Sequence, residues 1–394
     1  MTQTRICILG GGFGGLYTAL RLSQLSWGLE KPEITLVDQR DRFVFLPLLY
    51  ELVTKELETW EIAPPYIELL TNTGIQFRQL AVASIDIDAK QVHFQNHDQL
   101  DYDYLVLAMG GETPMDRVPG VAEHAIAFRT IQDAYRLEEK LRLLEESKAD
   151  KIRVAIVGAG YSGVELACKL AERLGDRGRV RLVEATDQIL RTSPEFNRET
   201  ASKALSERDV WIDLETKVES VTADAIALEY KGQLDIIPVN IVLWTVGTQV
   251  SEVVQNLPLK HNDRQQLVIN TNLQTLEHPE IFALGDLAEC LDAEGQRVPS
   301  TAQAAFQQAD YAGWNIWASI TGKPLLPFRY QALGEIMSLG TDNATLAGMG
   351  IKLDGPFAHV ARRLIYLYRM PTLDHQIKVG LNWVVQPLRE LLSP

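Results

Sequence analysis

Arg5-Ile-Cys-Ile-Leu-Gly10-Gly-Gly12-Phe-Gly-Gly15 opens the chain, and Arg153-Val-Ala-Ile-Val-Gly158-Ala-Gly160-Tyr-Ser-Gly163 repeats its pattern 148 residues later. Each stretch reads as a short β-branched strand, a G-x-G-x-x-G turn and the start of a helix. The first glycine permits the tight turn, the second lets backbone approach a pyrophosphate, and the third lets helix pack on strand. Gly14, beside Gly15, is counted with the first loop. The helix N-terminus adds N–H groups and the positive end of its dipole for a phosphate. Each loop is followed by a strand that ends in an acid, Glu33-Ile-Thr-Leu-Val-Asp38 and Arg179-Val-Arg-Leu-Val-Glu184. Asp38 lies 28 residues after Gly10 and Glu184 lies 26 after Gly158, about where a carboxylate reaches a ribose 2′-hydroxyl. A degenerate structural repeat is the alternative for one copy, but both keep three glycines and an acid, which binding demands more than folding does. Two dinucleotides in one chain imply an electron relay.

The bulk properties leave function to the motifs. The 394 residues exceed one ordinary core, and 46% hydrophobic with 23% charged is a common globular balance. A formal net charge of −14 argues against a nucleic-acid surface. Cys7, Cys168 and Cys290 make no close pair, which speaks against a disulfide framework and suits a reducing compartment. Cys7 and Cys168 read as core residues, and no metal site is expected. No apolar signal region precedes the first strand, and no run of about 18 apolar residues predicts a membrane span.

The repeat extends beyond the glycine loops. The first unit ends in Tyr102-Asp-Tyr-Leu-Val-Leu-Ala-Met-Gly110-Gly and the second in Ile241-Val-Leu-Trp-Thr-Val-Gly247, both strand-to-glycine signals. Between them, Gln132–Lys148 has the spacing of a surface helix. A later stretch, His278-Pro-Glu-Ile-Phe-Ala-Leu-Gly285-Asp286, is an apolar strand stopping at Gly-Asp. There the Asp can accept from a ribityl hydroxyl of a flavin while backbone N–H groups face its phosphate. The expected architecture is therefore α/β with two Rossmann-type dinucleotide-binding domains. Residues 1–115 and 250–325 form a split flavin domain, 116–249 an inserted NAD(P)H domain, and 326–394 a C-terminal domain with a membrane-associating segment.

These stretches together resemble the two-dinucleotide-binding flavoproteins, and more narrowly the type II NAD(P)H:quinone oxidoreductases. Phe45-Leu-Pro-Leu-Leu-Tyr50 with Glu61-Ile-Ala-Pro64, Ser300-Thr-Ala-Gln303-Ala-Ala-Phe-Gln307-Gln308-Ala, and Gly163-Val-Glu165 carry the narrower likeness, which covers essentially the whole chain. Lacking an inserted calcium-binding domain, the chain looks most like the cyanobacterial and plastid branch. Members of that branch are linked to reducing demethylated naphthoquinone precursors of phylloquinone. The resemblance implies FAD as cofactor, NADH or NADPH as electron donor, and a membrane quinone of naphthoquinone, plastoquinone or menaquinone type as acceptor. It implies a non-pumping enzyme, peripheral on the cytoplasmic side of a thylakoid or plasma membrane. Ser162 and Met109 stand where the family commonly has Thr; neither removes a charge or a required glycine.

The candidate site residues follow, each with its plain alternative. Glu165 either sits at a helix N-terminus, favoured by the dipole at about 0.3–1 kcal/mol, or, as the family implies, helps arrange protonation beside the flavin. Gln303 and Gln307 are four apart and share a helix face, where amides can donate to quinone oxygens; Gln308 is counted with them. Their alternative is a polar face covering the flavin. Glu184 can take both ribose hydroxyls of NADH and repels a 2′-phosphate, unless Arg181 or Arg191 offsets it. Residues 356–394 hold Arg362, Arg363, Arg369, Lys378 and Arg389 against Asp374 and Glu390, a net of +3. Around them lie Leu364–Tyr368 and a stripe of Leu381, Val384, Val385, Leu388, Leu391 and Leu392, with Tyr366 and Trp383 suited to an interface. Pro387 should kink that stripe's helix. A homodimer contact or ordinary packing is the alternative for this tail.

Three rival functions are distinguishable. A disulfide reductase needs a cysteine pair soon after the first acid, and Phe43–Glu58 contains none. A sulfide:quinone oxidoreductase needs Cys168 and Cys290 to converge on the flavin. A nucleotide-sensing flavoprotein would bind NADH tightly and turn over slowly with every quinone.

Overall fold

A computed structural model describes residues 3–28, 30–147 and 150–392, with side chains of the last helix described as far as Val385. Two five-stranded parallel sheets grow from the two quoted strands. In the first, Arg5–Leu9 lies between Tyr104–Leu107 and Glu33–Asp38, with Ile281–Ala283 and Gln76–Gln79 outermost. In the second, Ile152–Val157 lies between Gly178–Val183 and Ile241–Trp244, with Trp211–Asp213 and Ala125–Ala127 outermost. Both central strands are buried apolar runs, as expected where helices cover both faces.

Packing divides the described chain into two compact units along lines that differ from the expected cofactor domains. One comprises residues 1–43, 64–112 and 248–331; the other comprises 44–63, 113–247 and 332–394. The stretch 44–63, placed by sequence in the flavin domain, thus packs with the second unit and with the C-terminal residues. The reason is chemical: its Glu51, Glu56 and Glu61 are partnered from that unit, as described below.

Local signals set the element ends. Thr130 caps the helix Ile131–Glu146, its hydroxyl accepting from Asp133 N while Asp133 accepts back from Thr130 N. In the first unit the helix Ala302–Thr321 packs on Phe13–Gln24 so closely that a Cβ at Gly313 would lie 2.6 Å from Arg21 Cγ. In the second, strands Glu335–Ser338, Ala344–Gly348 and Ile351–Asp354 form an antiparallel sheet that leads into helices Gly355–Tyr368 and Leu373–Leu392. Pro387 does not end the last helix; Leu388, Leu391 and Leu392 belong to it, but their side chains lie outside the described residues.

The third glycine of each loop is fixed by contact. A Cβ at Gly15 would sit 1.8 Å from Gly10 O, and one at Gly163 would sit 1.8 Å from Gly158 O. Gly15→Ala and Gly163→Ala should each cost about 1–3 kcal/mol or more in calorimetry. In the protein stripped of bound nucleotide, Gly12→Ala, which meets no atom within 4 Å, should stay within about 0.5 kcal/mol of the parent.

Candidate functional site

The two glycine loops are built alike, bond for bond. Gly10 N–H donates to Val37 O and Gly158 N–H to Val183 O, both at 2.8 Å, tying each turn to the end of the neighbouring strand. The next N–H donates to the acid that ends that strand: Gly11 N to Asp38 Oδ2 at 2.7 Å, Ala159 N to Glu184 Oε2 at 2.8 Å. Gly10 and Gly158 have φ of +97° and +100°, a region costly for any residue with a Cβ. Gly12 and Gly160 begin the helices Phe13–Gln24 and Tyr161–Leu174 with no side chain capping their N–H groups. An added Cβ at either would meet nothing within 4 Å. A second glycine that meets no atom, at the head of a helix with no side-chain cap, fits a pyrophosphate at each loop.

The strand-glycine endings meet the loops in both units. Gly110 and Gly247 both have positive φ, +69° and +80°. A Cβ at Gly10 would lie 2.4 Å from Ala108 O, and one at Gly158 would lie 2.9 Å from Thr245 Oγ1. Gly14 makes ordinary contact with Ala108 and Leu284, which brings the Gly285-Asp286 turn to the first loop. Gly285 N–H is already spent within the protein, donating to Gln308 Oε1 at 2.8 Å.

That bond also relocates Gln308, which is buried under the helix instead of standing with Gln303 and Gln307. The helical spacing explains it, since residue 308 is turned about 100° from 307. Gln303 and Gln307 do share a face. Gln303 Oε1 accepts from Tyr330 Oη at 3.0 Å, and Gln307 exchanges two hydrogen bonds with the Gln331 backbone, at 2.9 and 3.0 Å.

Glu184 is held on three sides, by Ala159 N and by the N–H and hydroxyl of Thr186 at 2.9 and 3.0 Å. Arg181 is committed elsewhere: it pairs with Asp213 at 2.8 Å and stacks on Trp211. Arg191 is exposed.

Glu165 is buried in the second unit, inside a charged cluster that sequence reading missed. Its Oε1 accepts from Ser338 N–H at 2.8 Å and lies 3.5 Å from Arg362. Arg362 is fully buried, bonded to Glu51 and, at 2.7 Å, to Pro47 O. Lys169, also fully buried, bonds Glu51 and Glu56, and Arg363 approaches Glu56 at 3.6 Å. Arg362 and Arg363, counted by sequence as surface charges, therefore point inward. Trp383 donates to Glu61 at 2.8 Å and Tyr366 packs on Phe45, so neither is a free interface aromatic. The partners are hundreds of residues apart, and no local spacing announces them.

Burial pushes the Glu165 carboxyl up to about 7 against the pull of Arg362 and the Ser338 N–H. Burial and the neighbouring Glu51 push Glu56 to about 7 as well, while the cations Arg362 and Lys169, outweighing burial, draw Glu51 below the carboxylate range. His359, also buried and beside Arg363, falls to about 4. The three cysteines are buried thiols raised by burial, Cys168 to about 12 and Cys290 to about 11. Among the described residues no cluster could hold a metal ion and no helix is long and apolar enough to cross a membrane.

Residues 4–309 match the pyridine nucleotide-disulphide oxidoreductase family. Over 99% of its length the chain is 58% identical to a demethylphylloquinone reductase of Synechocystis, covering 98% of that protein. It is 45% identical to an alternative NAD(P)H-ubiquinone oxidoreductase of Arabidopsis thaliana, covering 97% of this chain and 80% of that one. Its fold is that of NDH2 from Plasmodium falciparum in complex with NADH, with a TM-score of 0.85 at 18% identity over 97% and 98% of the two chains.

Ionising Glu165 opposes folding, because its folded pKa of about 7 lies above the ordinary 4.5. Between those values the folded state holds more protons, so this group's contribution falls as pH rises and levels off above about 7. Glu165→Gln should therefore gain stability relative to the parent across that window. Denaturant melts at pH 5 and 8 check it; an unchanged difference between the two proteins would refute it.

Proposed function

The chain belongs to the pyridine nucleotide-disulphide oxidoreductase family, and from that premise we propose that it is an FAD-dependent NAD(P)H:quinone oxidoreductase acting on a naphthoquinone of the demethylphylloquinone kind. The full-length likeness to a demethylphylloquinone reductase carries this reading. When bound, FAD supplies the redox chemistry, accepting hydride from the nicotinamide and passing two electrons to the quinone.

The protein's own part is to bind, orient and protonate. Gly10, Gly12, Gly14 and Gly15 cradle the flavin pyrophosphate, Asp38 holds its ribose, and Asp286, with Gly285 and Gly110 shaping the wall, takes the ribityl chain. Gly158, Gly160, Gly163 and Gly247 do the same for NAD(P)H, with Glu184 on the ribose. Because Glu184 is pinned and Arg181 is paired with Asp213, the charge at this ribose favours NADH over NADPH. Gln303 and Gln307 orient the quinone from their common face. Glu165, whose carboxyl burial pushes up to about 7, is the side chain we assign to give a proton to the reduced quinone.

The C-terminal helices offer a membrane-facing surface. Phe357, Val360, Leu364 and Tyr368 form an exposed stripe on the first, and Leu373, Ile377, Leu381 and Val384 form one on the second. Spacings of three and four put each set on one face. With Arg362 and Arg363 buried or half-buried in ion pairs, apolar area contributes more to docking than the +3 count implied.

Stopped-flow measurements divide the two halves of the reaction. Gln307→Ala should leave flavin reduction by NAD(P)H near the parent rate and slow reoxidation by quinone roughly 3- to 10-fold, the scale of one neutral hydrogen bond. Equal loss in both halves would make the residue a general support of the flavin site. In vesicle flotation, Leu364→Glu with Ile377→Glu should weaken lipid partitioning by roughly tenfold or more. Unchanged flotation would remove these stripes from the membrane surface.

A further inference from the structure

Three polar side chains of the last helix converge on one buried residue. Glu61, which has no exposed surface, accepts at Oε1 from Trp383 Nε1 at 2.8 Å and from Asn382 Nδ2 at 3.2 Å. Its Oε2 accepts from Glu58 N–H at 2.6 Å, closing the capping box of its own helix Thr59–Ile62. Its carbonyl oxygen accepts from His375 Nε2 at 2.8 Å. Three side chains of helix Leu373–Leu392 thus end on a single residue, while the opposite face carries the stripe Leu373, Ile377, Leu381 and Val384.

A carboxyl group is suited to this place in a way other side chains are not. One oxygen receives both donors of the last helix, and the other caps the short helix that carries it. Glutamine keeps an oxygen for Trp383 and Asn382, but its amino group cannot accept from Glu58 N–H. Alanine loses all three bonds and leaves the Trp383 and Asn382 donors without that acceptor.

We propose that Glu61 is a positioning residue for quinone reduction: by clamping the last helix it sets where the apolar stripe receives the tail of a lipid-borne quinone. The inference rests on the proposed function, and it assigns Glu61 no contact with the reacting head group. Loss of the clamp then falls on tailed quinones and spares tailless ones.

The test uses the full-length flavin-loaded protein on anionic phospholipid vesicles, with an isoprenoid-tailed naphthoquinone compared against menadione. Glu61→Ala should raise KM for the tailed quinone about tenfold, the scale of a lost hydrogen bond to a charged group. Its kcat with menadione and its flavin reduction by NADH should stay within about twofold, a change within the reach of surface effects. Glu61→Gln should fall between, and trypsin should cut faster at Arg369, in the turn between the two helices. If Glu61→Ala does not fold, Trp383→Phe with Asn382→Ala removes the donors instead and is held to the same split. Equal loss with both quinones, or no change with either, overturns the inference. If the parent protein reduces neither quinone while NADH reduces its flavin, the proposed function fails and not the clamp alone.

Discussion

Each nucleotide fold closes on one hydrogen bond, from the backbone N–H after the first glycine to the carboxyl that ends the next strand. That bond joins turn, strand and acid into one unit, and the other features follow from holding it. The turn needs φ near +100°, so its first residue is glycine. The third glycine must come within 1.8 Å of the first one's carbonyl, measured from the Cβ it lacks. The second is then left facing open space, at the head of a helix that no side chain caps. In both units the loop and the turn after the strand take both oxygens of that acid: Gly11 and Arg40 N–H groups hold Asp38, and Ala159 and Thr186 N–H groups hold Glu184.

A second constraint governs the C-terminal helices, and it is a buried charge problem. Lys169 and Arg362 are fully buried cations, and each depends on Glu51. Removing one partner from such a pair typically costs about 3–5 kcal/mol, because the other charge stays buried and uncompensated. An apolar filling of the same space would be as stable or more so. What the charges add is register: Glu51 receives the two cations only in one arrangement of three chain segments. Glu61 applies the same logic to the last helix.

The strand-loop-helix units, their acids and the strand-glycine endings were readable in the sequence because each is local, with partners under thirty residues apart or at a fixed period. The face shared by Gln303 and Gln307 was readable for the same reason. Gln308 was misplaced by counting it with its neighbour, when a helix turns each residue about 100° from the last. Arg362, Arg363, Tyr366 and Trp383 were read as a basic aromatic surface, since composition says nothing of which face is turned inward. Their partners Glu51, Glu56 and Glu61 lie some three hundred residues earlier, in a stretch whose membership of the second unit depends on those very contacts.

The duplication explains where the charged cluster stands. Positions 17 and 165 are equivalent in the two repeats, and so are 21 and 169. In each unit this pair, one helical turn apart, faces a helix from later in the chain. In the first unit Tyr17 meets Phe306 edge-on at 4.7 Å, Arg21 pairs with Asp310 at 2.8 Å near the surface, and Gly313 lets the helices touch. In the second unit Glu165 meets Arg362 of the covering helix directly, and Lys169 meets it through Glu51. The same geometric socket is filled once by an aromatic pair and small residues and once by ions. The first filling keeps its ions near the surface, in the Arg21–Asp310 pair, and packs aromatic and small residues beneath them. The second puts a carboxyl with a pKa of about 7 one turn into the helix of the nucleotide loop, at the position the first repeat gives to a tyrosine. The chemical difference between the two halves therefore lies in what covers the repeated helix, since the loops themselves are alike.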